Sequence, residues 1–145
     1  YSEALNPIGR QLVEAKQQAV LLVVEDDRDM RSLLCDELWD LGLRIIEAED
    51  GHAALEQLEQ CRPTLILSDL RMPAGGLDYV ARLKTLAPHT PIVLMTAFGD
   101  PETKAQAYEY GVSAFVEKPV RMAELKQTIK QLIHNHNGAP KEVRD

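Results

Sequence analysis

Apolar residues in this chain follow two rhythms that alternate along its length. Short unbroken runs occur at 20–24, 65–67 and 91–95, each bounded by turn residues. Such runs predict strands buried on both faces. Between them, apolar residues recur at spacings of three and four. Met30, Leu33, Leu34, Leu38 and Leu41 predict one helix, with Trp39 packed beside the stripe and Gly42 as its stop. Leu77, Val80, Leu83 and Leu86 predict another, and Met122, Leu125, Ile129, Leu132 and Ile133 a last one. Residues 43–48 alternate partly and predict an edge strand. Ala54, Leu55 and Leu58 mark a short helix that ends near Cys61-Arg62-Pro63. Asp100-Pro101 is a helix start, with Asp as cap and Pro at the first helical position. The helix it opens has a thin apolar face of Ala105, Ala107 and Tyr108. Residues 112–117 predict a fifth strand, closed by Lys118-Pro119.

Strands alternating with helices imply a parallel sheet with right-handed crossovers. Five of each predict an α/β flavodoxin-like (βα)5 doubly wound sheet with strand order 2-1-3-4-5. Residues 20–134 are expected to form this unit. Residues 1–19 are polar and mixed, with Asn6-Pro7 as a cap and Ile8, Leu12, Val13 and Ala19 as an imperfect stripe. They predict an N-terminal linker or accessory helix. Residues 135–145 read as a polar tail or linker.

All strands of such a sheet end at one edge, where open α/β sheets build their sites. That edge would receive Glu25 and Asp26 after the first strand, Asp69 after the third, Thr96 after the fourth and Lys118 after the fifth. Clustered carboxylates repel unless a cation joins them, and an all-oxygen set suits Mg²⁺ or Mn²⁺. A carboxylate can attack phosphorus to form an aspartyl phosphate. An ammonium such as Lys118 can neutralise the phosphoryl group, and a hydroxyl such as Thr96 can donate to it. Asp27 needs only a helix-start role.

Composition narrows the classes. The chain has 145 residues, 45% of them hydrophobic, and a formal net charge of -7. This suits one globular core and argues against nucleic-acid binding by this domain. Cys35 and Cys61 lack metal-type spacing and read as reduced small hydrophobes. No apolar run is long enough to span a bilayer and no signal peptide is recognisable, so the cytoplasm is expected and a membrane partner is not.

The motifs Val24-Glu25-Asp26-Asp27, Ser68-Asp69-Leu70-Arg71-Met72-Pro73, Met95-Thr96-Ala97 and Phe115-Val116-Glu117-Lys118-Pro119 occur in this order on the alternating frame. In this the chain resembles the response-regulator receiver domain of two-component signalling, from about residue 21 to 133. The resemblance implies Asp69 as phosphoacceptor, and Mg²⁺ held by Asp26, Asp69, Glu25 through water and the main-chain carbonyl of Arg71. It implies that Thr96 and Lys118 contact the phosphoryl group, that Phe115 is the switch aromatic and that Lys118-Pro119 is cis. It further implies a histidine kinase or phosphotransfer protein as donor and an output domain, an effector or a second copy of the chain as receiver of the signal. The domain would catalyse only its own phosphorylation and dephosphorylation.

Two departures stand out. Pro73-Ala74-Gly75-Gly76-Leu77 is one residue shorter than the family's usual loop, and Glu25 stands where Asp is common. Other classes fit less well. A haloacid-dehalogenase-like phosphatase needs a second Asp two residues after the nucleophile, where this chain has Arg71. A flavin module needs a hydroxyl-rich phosphate loop where this chain has Glu25-Asp26-Asp27. A docking receiver that is never phosphorylated has no need of the complete site. His52, His89, His134 and His136 are scattered and read as surface residues.

Overall fold

The computed structural model describes residues 18–97 and 100–137. The accessory helix expected before residue 18 and most of the polar tail lie outside the described residues. Five strands form one parallel sheet of order β2-β1-β3-β4-β5, as the alternation predicts. They are β1 (Val20–Val24), β2 (Arg44–Ala48), β3 (Leu65–Asp69), β4 (Ile92–Thr96) and β5 (Ala114–Glu117). The helices between and after them are α1 (Arg28–Leu38), α2 (Gly51–Leu58), α3 (Leu77–Leu86), α4 (Pro101–Glu109) and α5 (Met122–Asn137).

Successive strand residues point to opposite faces, so one sheet feeds two cores. Leu22, Val24, Ile66, Ile92 and Leu94 face α2, α3 and α4, where Ala54, Tyr79, Val80, Leu83 and Ala107 are buried. Leu21, Val23, Leu65, Leu67, Val93 and Met95 face α1 and α5, meeting Leu34, Leu38, Leu125 and Ile129. β1, β3 and β4 are therefore apolar without alternation, because both their faces are covered.

Side-chain caps set the helix starts. Asp27 Oδ1 accepts from the amides of Asp29 and Met30 at 3.0 and 3.2 Å, which is the helix-start role expected of it. Asp50 caps α2 through Ala53 at 2.8 Å, and Asp100 caps α4 ahead of Pro101.

Several local expectations need correction. Trp39 does not pack: α1 tightens into a 3₁₀ turn (Trp39–Leu41), and the indole is 75% exposed. At three residues per turn the side chain swings off the apolar line of Leu34 and Leu38. Leu33 is likewise exposed, because the buried stripe of α1 runs through residues spaced by four. On α3 the buried line is Tyr79, Val80 and Leu83, and Leu86 is exposed. α4 buries Ala107 alone, leaving Ala105 and Tyr108 outside. β2 starts at Arg44 and β5 at Ala114, each shorter than expected. α5 continues to Asn137, past residue 134.

Candidate functional site

Parallel pairing brings the strand ends together. β1 and β3 align Val24 with Ser68, β3 and β4 align Asp69 with Met95, and β4 and β5 align Thr96 with Glu117. Asp69 thus closes the central strand, with Glu25 and Asp26 on one side and Thr96 and Lys118 on the other. The amide of Lys118 donates to the carbonyl of Thr96 at 2.9 Å, so the last two groups share one backbone contact. The Lys118-Pro119 peptide is cis, as expected.

Lys118 is the hub. Its Nζ donates to Asp69 Oδ2 at 2.9 Å and to Glu25 Oε1 at 3.0 Å. Burial opposes the ammonium, yet the hydrogen bonds it donates to Asp69 and Glu25 outweigh that and hold the Lys118 pKa above the ordinary lysine value. Glu25 is almost wholly buried, and that burial pushes its pKa up against the pull of Lys118 and the Asp27 amide. Asp69 Oδ1 accepts from the Arg71 amide at 3.2 Å. Thr96 is buried and Asp26 exposed.

Carboxylate oxygens of Glu25, Asp26 and Asp69 all lie within 4.8 Å of one another. Three carboxylates face one ammonium, and two of the three are withdrawn from water. Hard oxygen donors in excess of positive charge fit a hard divalent cation.

Phe115 lies farther out along β5, half-buried. Tyr108 meets it edge-on at 5.5 Å between ring centres, and Lys104 Nζ lies 5.8 Å from the ring centre. Lys104 also pairs with Glu117 at 3.1 Å. Lys126, on α5, pairs with Asp40 at 3.2 Å and Glu37 at 3.7 Å, which turns it toward α1.

Three residues of the surroundings escaped the sequence reading. Arg31 Nη1 donates to the Glu25 carbonyl at 2.7 Å while Nε pairs with Glu47 at 3.1 Å, pinning the acidic turn to the edge strand. Its place one turn into α1, just past three acids, was the available signal. Ser68 and Tyr79 share a buried hydrogen bond of 2.8 Å beside Asp69. Nothing in the spacing of residues 68 and 79 announces that contact.

The profile of the response regulator receiver domain matches residues 21–130. The chain belongs to this family. The receiver is a signalling domain of two-component response regulators, not a classical enzyme, which sets the phosphatase reading aside. The phosphate regulon transcriptional regulatory protein PhoB of Escherichia coli K12 is 34% identical over 116 residues, covering 78% of this chain and 51% of PhoB. Histidine kinase P4 of Formosa agariphila is 31% identical over 127 residues, covering 86% of this chain and 9% of the kinase. The chain therefore spans about half of the first relative and a small part of the second. Among solved structures, chemotaxis protein CheY4 of Vibrio cholerae superposes with a TM-score of 0.73 at 29% identity, covering 79% of this chain and 98% of CheY4. Among the described residues, no helix of the receiver is long and apolar enough to cross a membrane.

Proposed function

We propose that this receiver is a phosphorylation-driven switch, with Asp69 as the acceptor. The observation that carries the reading is Lys118 Nζ, held at hydrogen-bond distance from both Asp69 and Glu25 at the strand ends. In the transfer, an Asp69 carboxylate oxygen attacks phosphorus of a phosphohistidine on a histidine kinase or phosphotransfer protein. The O–P bond forms, the P–N bond breaks and the imidazole leaves. Lys118 exchanges its bond to Asp69 for one to a phosphoryl oxygen, and the Thr96 hydroxyl donates to another. Glu25, Asp26 and Asp69, with the main-chain carbonyl of Arg71, would hold Mg²⁺ or Mn²⁺. When bound, the cation would offset charge on the phosphoryl oxygens.

The readout follows from Thr96 and Phe115. Drawing Thr96 toward the phosphoryl group opens room beside β4, and Phe115 turns inward from its contact with Tyr108. The surface of α4, β5 and α5 then changes for an output domain, an effector or a second copy. Residues 20–134 are the switching unit, with the cytoplasm as its compartment.

The test is intact mass after incubation with a small phosphodonor and Mg²⁺. One phosphate is expected on the wild type and none on Asp69→Ala. Equal labelling of the Ala variant would sink the assignment.

A further inference from the structure

The loop from Leu70 to Gly76 closes on itself and packs against the start of α2. Its own backbone closes it, with Gly75 N donating to Met72 O and Gly76 N to Leu70 O, both at 2.9 Å. Gly51, the first residue of α2, donates to Pro73 O at 3.1 Å. A Cβ on Gly51 would lie 1.8 Å from Ala74 O and 3.0 Å from Tyr79 Cδ1, so only glycine admits this approach. Ala74 takes a left-handed φ of 58°, a conformation that a residue with a Cβ adopts only when its surroundings impose it. The Tyr79 ring thus fills the space where the loop meets α2.

The Tyr79 hydroxyl reaches in the other direction, to the acceptor. It lies 2.8 Å from Ser68 Oγ, and Ser68 Oγ lies 2.8 Å from the carbonyl oxygen of Asp69. Tyr79, Ser68 and Asp69 are all buried, so water cannot substitute for these bonds. Proton counting fixes the direction. A carbonyl only accepts, so the single Ser68 proton goes to Asp69, and Tyr79 must supply the proton between the two hydroxyls. Burial raises the Tyr79 pKa despite the Ser68 bond, which keeps the phenol protonated and donating.

The Asp69 carbonyl is the hinge of the acceptor's backbone. The next amide, Leu70 N, donates to Met95 O at 3.0 Å, and Arg71 N returns to Asp69 Oδ1 at 3.2 Å. Fixing that carbonyl therefore fixes the peptide from which the carboxylate is aimed. We propose that Tyr79 is a positioning residue for the acceptor, acting through Ser68 to set the main chain of Asp69 and through its ring to brace the short loop against Gly51. The inference rests on Asp69 being the phosphoacceptor.

The experiment compares Tyr79→Phe, Ser68→Ala and the double variant, each as the full chain. Tyr79→Phe keeps the ring against Gly51, so the fold is retained, and melting temperature monitors it. Two readouts are taken: the phosphorylation rate with acetyl phosphate and Mg²⁺, and amide exchange at Arg71, Gly75 and Gly76. Each single variant is expected to slow phosphorylation roughly three- to tenfold, within the range that one hydrogen bond supplies. The double variant is expected to be no slower than the slower single one, because both break one relay. The three amides should exchange faster in all variants. A Tyr79→Phe rate equal to wild type, with only the melting temperature lowered, overturns the proposal, as does multiplication of the two single effects. If the wild type takes up no phosphate, the acceptor reading fails by itself. The amide exchange then decides the relay: faster exchange supports it and unchanged exchange overturns it.

Discussion

β3 is buried at every residue from Leu65 to Asp69, and β1 is covered from Leu21 onward, whereas β5 buries none of its four residues. The flanking helices differ in the same way. α3 buries Tyr79, Val80 and Leu83 against the sheet, but α4 buries only Ala107. Both halves contribute to one site. The central half supplies the carboxylates, in a frame where burial and hydrogen bonds leave little freedom. β4, buried throughout like β3, supplies Thr96, and beyond it the α4–β5 side supplies Lys118 and carries a half-buried Phe115 held by Tyr108 and Lys104 at the surface. Regions with few buried apolar contacts open at lower free energy. Under the function proposed above, this contrast would set a stiff acceptor against a more pliable reporter, with Thr96 and Lys118 between them.

The largest expected effect tests the stiffness directly. Leu67→Ala empties a site in the core between the sheet, α1 and α5, and should lower unfolding free energy by about 2–5 kcal/mol in a urea titration. Tyr108→Ala removes only an edge-on ring contact at the surface and should cost about 1 kcal/mol. Comparable losses would remove the contrast between the halves.

A smaller effect concerns the acidic side. Calorimetry with Mg²⁺ should show weak binding to the wild type and none to Asp26→Ala, whose exposed carboxylate faces the cluster without holding the fold. Undiminished binding in the variant would move the cation away from the strand ends.

The subtlest effect concerns the coupling. Adding beryllofluoride as a phosphate mimic should change amide exchange most between Ala97 and Lys118, with β1 and β3 little altered. A change confined to residues 69–76, or centred on α1, would mean that the pliable half does not report on the acceptor.

Much of this molecule was legible in the order of its residues. Apolar runs at two periods dictate strand and helix, and alternation of the two dictates a parallel doubly wound sheet. A polar group after four separate strands then has to arrive at one edge. Glu25, Asp26, Asp69, Thr96 and Lys118 could be named from that logic, because topology converts distant positions into neighbours without any knowledge of side-chain packing. What escaped depends on rotation and depth. Trp39, Leu33 and Leu86 are apolar residues near helical stripes, and only the actual pitch and contact line of each helix left them in water. Lys126 turned toward α1 because Asp40 and Glu37 offered it carboxylates that no local pattern reveals. The bond from Tyr79 to Ser68 was decided by tertiary structure alone. A hydrogen bond needs two groups within about 3 Å at the right angle, and residue order carries no information at that resolution until the chain has packed.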